Sequence, residues 1–120
     1  YMLKQDGDPK LYDRFMHNMI DWGITNYVTP LRVSSVVGAR MLKVLNFDID
    51  VIYLDSAHEA GETFLELSLY YDVLNNNGVI FGDDFDNFPA VCNDVKEFCR
   101  VNGLEYFMLP DPQTWAIYKS

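Results

Sequence analysis

The sequence contains no apolar run of the roughly 20 residues that a helix needs to cross a bilayer. Its first ten residues include Lys4, Asp6, Asp8 and Lys10, which are incompatible with the apolar core of a secretory signal peptide. A membrane-spanning helix within these 120 residues is therefore excluded. We expect a cytoplasmic protein.

Positive charge is scarce. The chain has 9 Lys and Arg residues against 18 Asp and Glu residues, which gives a net charge of −9 at pH 7. A field of this sign repels nucleic-acid phosphates and anionic lipid, so neither a nucleic acid nor a membrane surface is an expected partner. The same field favours a cationic substrate or a bound metal ion.

Cysteine is scarce as well, and the usual phosphate-binding loops are absent. Cys92 and Cys99 fall on one predicted helix, about 10 Å apart, which is too far for a disulfide bond. No histidine stands at the spacing of a zinc site beside them. Neither a G-x-G-x-x-G segment nor a Walker sequence is present, so the chain has no known glycine-rich nucleotide-binding loop.

The composition that remains is that of an ordinary globular domain. Hydrophobic residues make up 49% of the chain and charged residues 22%. A chain of this length buries roughly two thirds of the surface that it exposes when unfolded, which is enough for one core. We expect a single α/β domain over residues 1–120.

Apolar residues at helical spacing, together with capping residues, predict helices separated by shorter segments. The predicted helices cover residues 9–22, a segment from Ser34 or Ser35 to Leu45, residues 59–74, and residues 89–102. The three asparagines and the glycine at residues 75–78 are expected to stop the third helix and turn the chain.

Shorter runs predict strands at residues 27–33, 50–55, 79–81, 104–109 and 114–119. The second and third runs are almost uniformly apolar, as in parallel strands that are buried on both faces. Pro30 confines the first run to the edge of a sheet. The last two runs suit an antiparallel hairpin. We therefore predict a doubly wound, mostly parallel α/β sheet of about five strands with an antiparallel end.

Carboxylates follow both buried strands at their C-terminal ends. Asp55 closes the first of them, and Asp83 and Asp84 close the second. Ligands bind at the carboxyl ends of strands in open α/β sheets, so the three side chains are expected to meet in one crevice. Carboxylates this close stay ionised together only if a cation or strong hydrogen-bond donors compensate their charge, and a hard divalent ion such as Mg²⁺ is the simplest compensator. Alternatively, Asp55 and Asp83 cap the following helices and Asp84 is solvated.

His58 stands shortly after Asp55, at the start of the next predicted helix. From there its imidazole would point into the same crevice, where it could act as a general base near neutral pH. Spacing alone allows a surface histidine equally well. His17, on the polar side of the first helix, is expected to be solvated. Phe85 and Phe88, together with Tyr53, predict an aromatic rim that suits a neutral or cationic small molecule.

The segment 49–98 resembles class I S-adenosylmethionine-dependent methyltransferases. The resemblance rests on a strand ending in Asp55 with His58 just beyond it, a long helix, the turn at Asn77 and Gly78, and a strand ending in Asp83 and Asp84. Within that superfamily the chain is most similar to the metal-dependent small-molecule O-methyltransferases, the sugar and macrolide branch and its bacterial and phage relatives. The resemblance extends to residues 28–35 and to the closing hairpin.

This resemblance implies O-methylation of a small-molecule hydroxyl, assisted by Mg²⁺. Carried over residue by residue, it implies that Asp55, Asp83 and Asp84 hold the metal ion. It also implies that His58 takes the proton from the substrate hydroxyl. The acceptor itself is not identified by any residue of the sequence.

The resemblance further implies S-adenosylmethionine as the methyl donor. Ser35 would lie on the cofactor side, and the cofactor would also touch Asp55, Ser56 and Ala57. The family's first strand, its glycine-rich turn and its ribose-binding acidic residue would precede Tyr1, so we expect weak cofactor binding by this chain alone. A sheet without those strands would leave an edge exposed near residues 27–33, and a homodimer could cover it by strand pairing.

Two other classes of function remain open. Residues 82–86 also resemble the acidic metal motif of haloacid dehalogenase-type phosphohydrolases, whose nucleophile would be Asp55. That class needs a second aspartate two residues on, where this chain has Ala57. The other possibility is a non-catalytic α/β interaction module that keeps the fold without the cofactor half.

Overall fold

A sheet of four strands organises the later part of the chain in the computed structural model, which describes residues 4–5, 8–55 and 58–120. The backbone forms two compact units, one ending at Arg32 and the other running from Val33 to Ser120. The prediction of one domain over residues 1–120 stays a prediction. Among the described residues, every helix is too short or too polar to span a membrane.

The first unit consists of a small hairpin followed by a helix. Strands β1 (Lys4–Gln5) and β2 (Asp8–Pro9) pair in antiparallel fashion, and α1 (Lys10–Asp21) follows directly. The helix confirms the prediction for residues 9–22. Gly23 follows its end with a φ of 66°, a left-handed conformation that glycine adopts without a steric penalty.

The predicted strand at residues 27–33 is wrong, because these residues pair with no strand. Pro30 has no amide hydrogen to donate to a sheet. The Tyr27 amide instead closes a local turn by donating to the carbonyl of Ile24 at 2.9 Å, and the Tyr27 side chain is exposed. The sheet edge that we predicted at this segment is therefore absent. The prediction of a homodimer stays a prediction.

The second unit contains three helices, each close to its predicted position: α2 (Ser35–Val44), α3 (Glu62–Val73) and α4 (Pro89–Asn102). The Ser34 hydroxyl caps α2 by accepting from the amide of Val37 at 3.3 Å. Gly103 ends α4 with a φ of 64°. The predicted boundaries of α2 and α4 are thus confirmed.

The sheet of the second unit is formed by β3 (Ile49–Leu54), β4 (Leu74–Gly82), β5 (Phe107–Met108) and β6 (Trp115–Tyr118). Their order across the sheet is β3-β4-β6-β5. Strands β3 and β4 run parallel, whereas β6 pairs with β4 and β5 in antiparallel fashion. The predicted Rossmann-like α/β class with an antiparallel C-terminal pair is confirmed. The expectation of a mostly parallel sheet is wrong for these four strands, because only one of their three pairings is parallel. The sheet has one strand fewer than expected because residues 27–33 do not join it.

The start of β4 corrects the predicted turn at residues 75–78. The helix ends at Val73, but the asparagines that follow belong to β4 as an irregular segment of the strand. The register with β3 shifts here, since Ile49 faces Leu74 whereas Val51 already faces Val79. Asn77 takes a φ of 69°, which asparagine tolerates better than most residues. The residues that predicted a turn therefore form a bulge at the start of β4.

The core lies on one face of the sheet. Its fully buried side chains come from α3, α4 and the central strands, and they are Leu67, Ile80, Val95, Trp115 and Ile117. On β3, Ile52 and Leu54 face this core, but Val51 is 60% exposed and Tyr53 50% exposed. The prediction that the parallel strands are buried on both faces is therefore wrong for β3, because the helices that form the core pack against only one of its faces.

Replacing Leu67 by alanine should lower the free energy of unfolding by about 3 kcal/mol, since the side chain is completely buried and its loss leaves a cavity. Leu65 lies on the same helix but is 48% exposed, so Leu65→Ala should cost less than about 1 kcal/mol. Urea denaturation followed by circular dichroism measures both values. Equal losses for the two variants would contradict the one-sided core.

Candidate functional site

The two parallel strands end side by side, and their ends carry the acidic residues. Leu54, the last residue of β3, faces Gly82, the last residue of β4. The residues that follow them, Asp55 and Asp83, therefore leave the sheet next to one another, as predicted. They open into a narrow crevice whose accessible volume, about 10 Å³, is roughly that of one water molecule. It is lined by Leu54, Asp55, His58, Thr63, Glu66, Asp83, Asp84, Val91 and Trp115.

His58, Asp84 and Asp55 form the polar centre of this crevice. The Nε2 atom of His58 lies 2.7 Å from Oδ2 of Asp84, a hydrogen-bond distance. One potential ligand atom from each of the three residues lies within 4.8 Å of the others. The histidine side chain keeps 43% of its exposure and that of Asp84 keeps 22%. The predicted convergence is thus present for Asp55, His58 and Asp84, whereas Asp83 does not belong to this group. The imidazole and carboxylate groups of the three residues are accessible from solvent.

Asp83 has a different position from the other two carboxylates. It lines the crevice, but its Oδ1 accepts the backbone amide of Asp84 at 2.9 Å. This bond supports the turn in which Asp84 takes a φ of 66°, a conformation that is rare for residues other than glycine, asparagine and aspartate. The carboxylate of Asp83 therefore shapes the loop that aims Asp84 at His58.

Neither aspartate caps a helix, which excludes the alternative interpretation of Asp55 and Asp83. The residue at the N-terminal cap of α3 is Gly61, and at that of α4 it is Phe88. The N-terminus of α3 is satisfied from the neighbouring helix, where Oδ2 of Asp94 accepts the amides of Gly61 at 2.9 Å and Phe64 at 3.2 Å. Neither Asp55 nor Asp83 is thus committed to the N-terminal amides of these helices.

Trp115 closes the crevice from β6 and was not singled out by the sequence. The tryptophan is 1% exposed, and among the described residues its indole Nε1 has no acceptor. A Cβ on Gly82 would lie 2.7 Å from Cε2 of the indole, the ring atom bonded to Nε1. The donor therefore lies beside the end of β4. A signal existed in the sequence, since glycine at a strand end indicates close approach by another group.

Thr63 and Glu66, from the first turns of α3, also line the crevice and were not predicted. Both are buried, with exposures of 4% and 6%. Their positions in the sequence gave no signal, because this helix was predicted from its apolar residues and both of these side chains are polar. Glu66 places another carboxyl group at the base of the acidic cluster.

The remaining predicted residues either lie away from this centre or fall outside the residues that the structure describes. Ser35 begins α2, and its carbonyl accepts the hydroxyl of Tyr70 at 2.7 Å. It does not line the crevice. Ser56 and Ala57, predicted as cofactor contacts, lie outside the described residues. His17 is exposed on α1 and pairs with Asp21 at 3.3 Å.

The negative charge of the cluster affects the pKa of the neighbouring Tyr53 side chain. The pKa of Tyr53 is raised, first because the ring is partly withdrawn from water and then because the charge of Asp55 and a hydrogen bond to it oppose ionisation. Asp83 and Asp84 act in the same direction. The pKa of Tyr53 is therefore sensitive to the negative charge of the three aspartates.

The donor set fits a hard divalent cation. Asp55 and Asp84 supply carboxylate oxygens, the ligands that Mg²⁺ prefers, and the crevice has room for a single ion. A nucleoside-sized cofactor does not fit in this space, which is more than an order of magnitude smaller than an ordinary ligand pocket. The crevice thus provides a candidate metal centre but has no room for a nucleoside-sized group.

Two solved structures that share this fold are described as O-methyltransferases. The apo TDP-rhamnose 3′-O-methyltransferase of calicheamicin biosynthesis superposes with a TM-score of 0.67 at 16% identity. A Staphylococcus aureus protein assigned as a caffeoyl-CoA O-methyltransferase superposes with a TM-score of 0.68 at 13% identity. Each alignment covers 92% of this chain, but only 52% of the first protein and 61% of the second.

Sequence comparisons add nothing to this. No family model matches the chain, and no curated protein matches it in sequence. At these identities the structural likeness shows the fold alone. The chain spans between half and two thirds of the length of the two enzymes.

Replacing Asp55 by asparagine should lower the pKa of Tyr53 toward its ordinary value, because the variant removes the charge that opposes phenolate formation. The shift should be partial, since the partial burial of the ring remains. NMR titration of chains labelled at the tyrosine ring carbons measures it. Asp50→Asn, on the same strand, is the control and should leave the pKa of Tyr53 unchanged.

Proposed function

We propose that this chain activates the hydroxyl group of a small-molecule acceptor for metal-assisted O-methylation. The observation that carries the proposal is the convergence of Asp55, His58 and Asp84 at the ends of two parallel strands. Ligands bind at that edge in open α/β sheets. The fold shared with two O-methyltransferases supports methyl transfer as the reaction class.

His58 is the general base in this proposal. A neutral imidazole carries one proton, and the contact between Nε2 and the carboxylate of Asp84 favours the form with that proton on Nε2. Nδ1 is then the atom that accepts the proton of the acceptor hydroxyl. The carboxylate of Asp84 stabilises the imidazolium that results, as the aspartate does in a catalytic triad.

Asp55 and Asp84 would hold the metal ion, with Asp83 added by the resemblance to metal-dependent O-methyltransferases. A bound divalent ion supplies positive charge that stabilises a developing alkoxide at neutral pH. The aspartates also supply the negative charge that keeps a protonated His58 beside them stable. The metal requirement and the base therefore depend on the same cluster.

The acceptor is proposed to be neutral or cationic. No lysine or arginine lines the crevice. Three basic residues of the second unit are engaged elsewhere: Lys43 with Asp72, Arg100 with Glu97, and Lys119 with the carbonyls of Tyr71 and Leu74. An acceptor bearing a phosphate would therefore meet no basic side chain at the crevice.

Titration of the chain with Mg²⁺, and with Mn²⁺ as a spectroscopic substitute, tests the proposed metal site. Asp55→Asn and Asp84→Asn should each weaken binding at least tenfold, about 1.4 kcal/mol, because each removes a charged oxygen ligand. Asparagine at position 84 also tolerates the left-handed backbone, so the loop should survive. Isothermal titration calorimetry measures the affinities.

Asp86→Asn is the matched control, since Asp86 is an exposed aspartate on the same loop and lies outside the cluster. Its affinity for Mg²⁺ should stay within about twofold of the wild type, roughly 0.4 kcal/mol. A wild-type chain that binds neither ion, or an Asp55→Asn chain that binds both normally, would overturn the metal-assisted mechanism.

The 120-residue chain should bind S-adenosylhomocysteine weakly or not at all. The crevice at the strand ends has no room for a nucleoside, and the chain lacks the glycine-rich turn that lets backbone approach such a cofactor. Calorimetric titration is again the measurement. A dissociation constant in the low micromolar range would show that a complete donor site exists within the chain.

A further inference from the structure

We propose that Phe88 is a positioning residue that holds the ring of His58 in its reactive orientation. The inference rests on the proposed function for its chemical meaning. The two rings are stacked, with centroids 4.0 Å apart and planes inclined by 13°. The sequence predicted Phe88 only as part of an aromatic rim for the substrate. The stacking indicates instead that Phe88 positions the ring of His58.

Two contacts together fix the imidazole. The hydrogen bond to Asp84 holds one ring nitrogen at 2.7 Å, but a single bond leaves the ring free to tilt about that contact. The face of Phe88 removes this freedom because it defines the plane in which the imidazole lies. With both contacts present, Nε2 is kept on the carboxylate and Nδ1 is kept facing away from it.

The loop that carries both contacts is itself held in place. The amide of Phe88 donates to the carbonyl of Asp84 at 3.1 Å, so the two residues that contact His58 are joined by one turn. The amide of Phe85 donates to the carbonyl of Gln113 at 3.0 Å. Asn87 exchanges two further bonds with the Gln113 side chain, each of 3.3 Å. The contacts with Gln113 therefore hold the loop that carries Phe88.

Phe88 has little other use that would explain a large apolar side chain at this position. The residue is 37% exposed and does not belong to the core cluster. Its role in capping α4 is carried by the backbone, because its carbonyl accepts the amides of Val91 and Cys92.

NMR of the metal-free chain tests the proposal without a donor or an acceptor. At a pH where imidazole is neutral, the wild type should show Overhauser contacts between the rings of His58 and Phe88. It should also show an upfield shift of His58 protons relative to the exposed His17, and a predominance of the Nε2-protonated form. In Phe88→Leu the upfield shift should be lost. The neutral imidazole of His58 should then populate both tautomers, with the proton on Nε2 or on Nδ1.

Conservative variants separate positioning from a general loss of structure. Phe88→Tyr and Phe88→Trp keep a stacking face and should retain the wild-type pattern. Phe85→Leu is the matched control, because Phe85 lies on the same loop but packs on Tyr106, with centroids 5.5 Å apart. It should leave the signals of His58 unchanged.

Three results would overturn the proposal. They are a His58 spectrum unaltered by Phe88→Leu, loss of the pattern in Phe88→Tyr as well, and absence of the ring contacts in the wild type. The last two measurements decide the matter even if Phe88→Leu does not fold. Failure of the chain to bind Mg²⁺ would end the metal-assisted function while leaving these signals as predicted, so the two outcomes are distinguishable.

Discussion

The parallel pairing of β3 and β4 is the constraint on which the candidate site depends. Its register places Leu54 opposite Gly82, so the residues that leave the two strands emerge together although the whole of α3 separates them in the chain. A shift of one residue would send the side chains of one strand to the other face of the sheet. The burial of Ile52 and Ile80 on the same face fixes the register and thereby fixes the meeting of the carboxylates.

Contacts from residues outside the group of Asp55, His58 and Asp84 then shape the cluster. Gly82 leaves room for the indole of Trp115, which closes the crevice beneath the carboxylates. Asp83 binds the amide of the next residue and supports the left-handed turn at Asp84. Backbone in sparsely populated conformations is often retained at functional sites, where surrounding contacts over-determine it. Here those contacts direct one carboxylate toward the imidazole of His58.

The sheet is asymmetric, and this affects how the strands should be interpreted. Helices pack against the face of Ile52, Ile80 and Ile117, while the other face carries exposed aromatic side chains such as Tyr53 and Tyr118. Apolar residues on both faces of β3 predicted complete burial. The pattern depends only on the residues of the strand itself, and it does not show whether a helix packs against each face. The same reasoning explains residues 27–33, whose β-branched and aromatic content predicted a strand that Pro30 and a local turn prevent.

Local chemistry was enough to predict most elements, because caps, periodic apolar spacing and glycine stops act over a few residues. Ser34 and Gly103 mark helix ends for reasons contained in their own neighbourhoods. The convergence of Asp55 with Asp84 was also predictable, since parallel strands bring their carboxyl ends to one edge. Only the tertiary structure decided which atoms meet: that His58 contacts Asp84, that Phe88 stacks on its ring, and that Trp115 lies beneath. These contacts join distant segments through side-chain orientation, which no spacing in the sequence encodes.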